Sequence, residues 1–447
     1  MKQRTLFFII VLLSTLTASA YDAEIDGVYY NLNTSTKEAT VTSGDNEYTD
    51  SVTIPETVKY YKVPYSVTSI GRRAFYGCSS LTSVTIPNSV VSIGEGAFSY
   101  CSGLTSVTIP NRVISIGNGA FQDCSGLTSL TIPNSVTHIG YCAFYGCSSL
   151  TSLTIPNSLT SIEDAAFASC SGLISISVEN GNTVYDSRDN CNAIIKTATK
   201  TLIVGCKNTV IPNSVKSIGD LAFYGCSGLT SVAIPNSVIS IGESAFHACS
   251  GLTSLTIPNS VISIGIYAFA ACYGLTSLTI PNRVILIRDY VFEGCSNLKS
   301  VTIPNSAKSI GEGSFLNCSS LTSVTIPNSV KSIWDIAFKG CSSLTDVYCY
   351  AESVPTTSDY AFGRPGTPIY SATLHVPADS LEAYKATIPW KWFSTIVALT
   401  NEETTVKGIM STQQDTDRLP DGKFMKNGKI IIMKEGKKYD ATGRCHE

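Results

Sequence analysis

The chain has 447 residues and a formal net charge of −3, which excludes the strong basic field used to hold nucleic acid or an acidic membrane surface. Only 15% of its residues are charged, so much of its surface must be uncharged Ser, Thr, Asn and Gly. A fixed internal period also overrides any domain count based on length alone.

Residues 1–20 read as a secretory signal peptide. Lys2 and Arg4 form a positive start, Leu6 to Leu16 an apolar run, and Ala18-Ser19-Ala20 a cleavage site. The apolar run is too short to span a bilayer, and no later segment reaches spanning length. A secreted or cell-surface protein with no transmembrane span in its mature chain is expected. Residues 21–66 contain "IDGVYYNLNTSTKEATVT", two apolar strands around a Thr/Lys-rich turn, and are expected to form an N-terminal cap.

From residue 67 to 347 one 23-residue sentence recurs about eleven times: L-x-x-[VL]-x-I-P-x-x-V-x-x-I-G-x-x-A-F-x-x-C-x-x. In one copy it is carried by Leu81, Val84, Ile86, Pro87, Val90, Ile93, Gly94, Ala97, Phe98 and Cys101. Val84 and Ile86 alternate with Thr85, which predicts a strand with one buried face. Pro87 lacks an N–H and turns the chain. Val90 and Ile93 predict a second short extended piece, and Gly94 a tight bend. Phe98, Cys101 and Leu104 lie three apart, which suits a short 3₁₀ or α-helical turn. One such coil cannot bury its own apolar face, whereas a stack of equal coils buries it continuously. The expected fold is a leucine-rich-repeat solenoid, with a parallel sheet on one face, a short helical turn per repeat and caps at both ends. The phenylalanine column from Phe75 to Phe338 is its predicted spine.

The period breaks between Pro156 and Pro212, where 33 residues are added. The excess, near 178–210, predicts a hairpin rung inserted into the solenoid, turning near Ala198-Thr199. Residues 348–400 predict a C-terminal cap: a strand, a helix capped by Asp379 or Ser380, and an aromatic plug. Residues 401–419 read as a polar linker. Residues 420–447 read as a lysine-rich hairpin module with a possible sorting or attachment role.

Sixteen cysteines in an exported chain first suggest disulfides. Yet eleven of them recur at one place in the repeat, as buried hydrophobes in a column would. Cys191 and Cys206 flank the predicted hairpin and leave two alternatives, a disulfide or two packed thiols.

These repeats resemble the leucine-rich repeat of BspA-like surface proteins, also called the Treponema-type repeat. The likeness covers residues 67 to 347 and extends through "LHVPADSLEAYKATIPWKWF" to about 400. The inserted "VYDSRDNCNAII" hairpin is similar to an element of that family. The resemblance implies an exported protein of anaerobic bacteria that adheres to host matrix proteins, host cells or other bacteria. The lysine-rich end is similar to C-terminal modules of such exported proteins.

No enzyme is expected, and no cofactor. The four histidines stand at non-equivalent positions, and HExxH, GxSxG, GxxxxGK[ST] and CxxC signatures are missing from the sequence. Glu179, Asp186 and Asp189 cluster in the insertion and read as solvated turn carboxylates in preference to a calcium site. Candidate partner-binding residues fall in two columns. Thr85, Thr108, Thr131, Thr154, Thr256, Thr279, Thr302 and Thr325 form a uniform outward hydroxyl column, suited to an extended protein or a glycan. Ile239, Ile262 and Ile285 form an exposed aliphatic stripe on successive rungs, in a column that other copies fill with Val91, Ile114, Thr or Lys. The expected function is an adhesin-type, protein-binding surface scaffold. The competing expectation is an architectural or antigenically variable surface protein with no dedicated ligand.

Overall fold

The computed structural model describes residues 21–400 and, in backbone only, the strands Gly422–Lys426, Lys429–Lys434, Lys437–Asp440 and Cys445–His446. The expected signal peptide and linker lie outside the described residues. The fold is a parallel-strand solenoid of about 14 turns with few helices. It divides into two units, residues 1–150 with 158–166 and residues 151–157 with 167–447.

In the first unit the chain starts as an antiparallel meander of Ala23–Ile25, Val28–Asn33 and Glu38–Thr42. The last of these strands pairs in parallel with Val63–Ile70. A ladder then steps by whole repeats, Ile70 to Ile93, Ile116, Ile139 and Ile162. A second ladder joins Asp50–Thr53, Leu81–Thr85, Ser106–Thr108 and Ser129–Thr131.

The second unit repeats this construction. Ala193–Lys196 and Thr201–Gly205 form an antiparallel hairpin, and Thr201–Gly205 then joins a parallel ladder with Ser217–Ile218, Ser240–Ile241 and Ser263–Ile264. The insertion is thus both a hairpin and a rung. A six-stranded parallel ladder then runs through Ser277–Thr279, Ser300–Thr302, Ser323–Ile326, Asp346–Cys349, Thr373–Val376 and Thr395–Ala398. The backbone strands of residues 422–446 form an antiparallel sheet of four, two more than a hairpin.

The apolar columns of the repeat line the interior. Leu81, Val90, Ile93, Ala97, Phe98 and Cys101 are all at most 2% exposed, as are their equivalents in most copies. The phenylalanine rings stack nearly parallel, Phe98 on Phe121 at 5.0 Å and Phe121 on Phe144 at 5.3 Å. In the second unit the stack runs from Phe223 to Phe338 and on to Phe362, at 5.5 Å from Phe338. Phe362 belongs to a further coil, and its ring meets those of Trp390 and Phe393 edge-on. Helix Leu381–Ala386 sets Tyr384 against Trp390, but the helix has no side-chain hydrogen bond from Ser380 at its N-cap. The Ser380 hydroxyl instead donates to the Glu352 carbonyl at 2.5 Å.

The turn after Gly94 is not the short helix that the spacing suggested. In each coil two residues four apart have left-handed backbone, Gly96 and Tyr100 in one copy and Leu221 and Gly225 in another. A right-handed helix cannot continue through such residues. Alternate N–H groups of the turn bond along the stack instead: Gly96 donates to Asn118 O, Phe98 to Ala120 O and Tyr100 to Gln122 O. Gly117 is required by close approach, since a Cβ there would lie 2.7 Å from the Gly94 carbonyl carbon.

The cysteine column also makes a polar contact. Cys101 Sγ donates to Phe75 O at 2.9 Å, Cys124 to Phe98 O at 3.0 Å, and Cys272 to Phe246 O at 3.1 Å. A thiol is small enough for the core and is a weak donor to a carbonyl of the preceding coil. Burial pushes the Cys78 thiol up to about 11 and Cys272 up to about 12. These thiols therefore stay protonated and unreactive. Cys191 and Cys206 are likewise buried free thiols rather than a disulfide. Their sulfurs turn to different carbonyls, Ala193 O at 3.7 Å and Asn192 O at 3.4 Å.

Phe121→Ala or Phe292→Ala removes one ring from a stack and should destabilise the protein by about 3–5 kcal/mol, read from urea unfolding. Among the described cysteines only Cys142 is partly exposed. Iodoacetamide on the native protein should therefore modify Cys142 well before any column thiol, as peptide mass mapping would resolve.

Candidate functional site

The coil holds its backbone so tightly that recognition must fall to outward columns. The residue after the IPxxV turn is one such column, since its side chain lies outside the ladder while its backbone stays inside it. Ile239 N–H donates to Lys216 O and Ile262 N–H to Ile239 O, each at 2.9 Å. Ile239 and Ile262 therefore stand on neighbouring coils. Ile285 opens the next sheet and accepts from Lys308 N–H at 2.8 Å. The three are 47%, 47% and 55% exposed. Leu286, also half exposed, extends the patch in a place that is Ser in Ser217, Ser240, Ser263, Ser309 and Ser332. That departure from the repeat is the signal by which Leu286 could have been found, and sequence reasoning missed it.

The hydroxyl column divides into groups. Thr85, Thr108 and Thr131 share one ladder in the first unit, with Thr53 as an unforeseen member paired to Thr85. In the second unit Thr154 meets Ser177, their hydroxyls 3.2 Å apart. Thr256 bridges Ala233, which lacks a hydroxyl. Thr279, Thr302 and Thr325 are in register, and the column then ends on Tyr348 and His375. The rings of those two stack at 4.4 Å, and the imidazole pairs with Asp346 at 3.0 Å.

Two carboxylates of the insertion, Asp186 and Glu179, are held by hydrogen bonds. Asp186 is held 2.5 Å from Arg188 and also accepts from Thr197 at 2.9 Å. Burial works to raise its pKa, but the hydrogen bonds from Arg188 and Thr197 outweigh it and hold the carboxyl below its ordinary value. Glu179 accepts from the Asn157 N–H at 3.1 Å. His138 pairs with Glu163 at 3.3 Å. Among the described residues no group of three or more His, Cys, Asp or Glu is placed to share a metal ion. No described helix is long and apolar enough to cross a membrane.

The turn face was legible only as a set of variable columns. Here the structure brings together aromatic side chains from separate coils, Tyr76 with Tyr100 in the first unit and Tyr224, His247, Tyr267 and Tyr290 in the second. Trp334, exposed and donating to Ser309 Oγ at 3.0 Å, replaces the repeat's glycine.

Comparison with known proteins agrees with this construction. The profile of the BspA type leucine rich repeat region matches in overlapping stretches at 52–174, 92–199, 203–285 and 263–384. That match is to a repeat scaffold and not to a catalytic family. A leucine rich cell surface protein of Faecalibacterium prausnitzii is 29% identical with a TM-score of 0.51, over 73% of this chain and 94% of that one. A leucine-rich repeat protein of Bacteroides ovatus is 27% identical with a TM-score of 0.50, over 85% of this chain and all of that one. The pneumococcal vaccine antigen PcpA, at 19% identity, shares the fold with a TM-score of 0.63 over 85% and 98% of the two chains. No curated protein matches the chain. With the repeat profile covering most of its length and its coils built as the repeat demands, the chain belongs to the BspA-type leucine-rich repeat family.

Proposed function

We propose that the protein is an exported, surface-displayed scaffold that binds protein partners in the manner of an adhesin, toward host matrix proteins, host cells or other bacteria. The observation that carries this reading is the aliphatic patch of Ile239, Ile262, Ile285 and Leu286. Exposed aliphatic side chains gathered on a rigid frame lose little conformational entropy when covered, which favours association. Lysines at Lys216, Lys308 and Lys331 occupy the same column on either side, so the patch has a charged rim. Leucine-rich repeat scaffolds bind proteins generally, and one similar structure is a cell surface protein. The hydroxyl column offers a second, neutral surface suited to an extended chain or a glycan.

In this reading residues 1–20 direct export, 21–66 and 348–400 cap the exposed sheet edges, and 420–447 serve sorting or attachment. Caps answer a physical need, because an open ladder edge pairs with other chains.

The test is binding of the mature protein to immobilised matrix proteins and to cells. Ile262→Lys combined with Ile285→Lys should weaken saturable binding about tenfold or more without lowering the unfolding midpoint. Binding unchanged in that variant removes the stripe from the site. Failure of the unsubstituted protein to bind across a broad protein and glycan panel would favour an architectural role.

A further inference from the structure

The turn face of the second unit carries a cluster that the fold does not require. Tyr267 and Tyr290 hold the same place in consecutive coils, and their rings stack with centroids 4.9 Å apart and planes 11° from parallel. Both have left-handed backbone, φ 55° and 56°. That conformation strains a bulky residue. Gly96, Gly119 and Gly313 fill the same place in other coils without strain. Coil packing therefore does not call for an aromatic here, let alone two in succession. On one side of the pair the His247 ring meets Tyr267 edge-on at 6.3 Å and stacks on Tyr224 at 4.8 Å.

Carboxylates surround this array. Glu293, Glu312, Asp289 and Glu243 all act electrostatically on Tyr267. The Tyr290 hydroxyl donates to Glu312 Oε1, and the Glu312 N–H donates to Asp289 Oδ1 at 2.8 Å. Next to them lies a cleft of about 540 Å³ whose walls include His247, Tyr273, Glu293 and Asn317. Burial pulls the His247 pKa below its ordinary value and so disfavours the charged imidazolium beside these carboxylates. The exposed cations Arg288 and Lys339 belong to the same run of coils, Arg288 beside Asp289 in sequence and Lys339 two coils beyond Glu293.

We propose that this face binds a lysine- or arginine-bearing segment of a protein partner, its cation seated on the Tyr267–Tyr290 stack and neutralised by Glu293 and Glu312. Ring faces attract cations, and a guanidinium plane stacks on them as well. The carboxylates add longer-range attraction that steers a basic segment to the cleft. An anionic occupant is repelled by the same four groups, and a neutral one gains nothing from them. The site is separate from the isoleucine stripe and does not depend on it.

The test uses the full chain, fluorescein-labelled hexa-arginine and fluorescence anisotropy at about 150 mM salt. Hexaglutamate and a glycine–serine peptide serve as controls. Hexa-arginine should bind saturably and the controls should not. Tyr267→Gly combined with Tyr290→Gly should weaken it about tenfold. Because glycine is the unstrained residue at this place, the unfolding midpoint should hold or rise, so weakened binding is not misfolding. Glu293→Gln with Glu312→Gln should also weaken binding and flatten its salt dependence. Ile239→Ser, Ile262→Ser and Ile285→Ser together should leave hexa-arginine binding intact. The proposal is overturned if the double glycine variant binds hexa-arginine as tightly as the unsubstituted chain, which would mean charge alone attracts it. It is equally overturned if the glycine–serine peptide binds as well, or if the triple serine variant loses binding.

Discussion

Every coil depends on its neighbour to cover the phenylalanine ring and the apolar residues around it. Phe121, fully buried, lies between Phe98 and Phe144 at 5.0 and 5.3 Å, and none of these contacts exists within a single 23-residue unit. The hydrogen bonds share this dependence. Along the strand side a later coil donates to an earlier one, as Gly94 N–H does to Ile70 O. Along the turn side the direction reverses, with Phe98 N–H donating to Ala120 O. Each coil is therefore tied to the next by bonds running both ways, and coils of equal length are the simplest way to keep both sets in register. The cysteine fits the same frame, since its thiol donates to the phenylalanine carbonyl of the preceding coil. A larger side chain would not pack there, and alanine would lack the donor.

Most of this frame was legible, because a buried column shows itself as a letter that does not change. Phe98, Cys101, Leu104 and Ile93 could be placed in the core without any structure. The reading of the sixteen cysteines as mainly packed thiols rested on the same regularity. What failed was the turn. Phe98, Cys101 and Leu104 have helical spacing, yet Gly96 and Tyr100 are left-handed and forbid the helix. Glycine would have signalled this, but Ala165, Ser169, Leu221 and Tyr267 adopt the same conformation in other coils. Stacking thus overrides local preference, and the strain is hidden from a reading by residue type. The coil of Phe362 escaped notice for a related reason: it stands 24 residues beyond Phe338, one more than the period, and lacks the IPxxV turn.

The candidate sites were legible in part. The isoleucine stripe appears once the copies are aligned, because it varies where the core does not. The Tyr267–Tyr290 stack is harder to see, since each tyrosine on its own looks like an isolated surface residue. Only the register of the coils places the two rings 4.9 Å apart, and only the surrounding carboxylates give the pair a chemical character.

Ile262 and Tyr267 occur in one coil, and so do Ile285 and Tyr290, yet each pair serves different outward columns. Between them stand Ile264, Ile287 and other buried residues that the ladders hold fixed. A substitution in one outward column therefore has little means of disturbing the other, because the backbone joining them cannot shift without breaking bonds to the coils on both sides. Sites separated by a rigid core behave nearly additively. A stacked-coil surface can thus present an aliphatic chemistry on one side of a rung and an acidic aromatic one on another. Each column can change without the core being rebuilt.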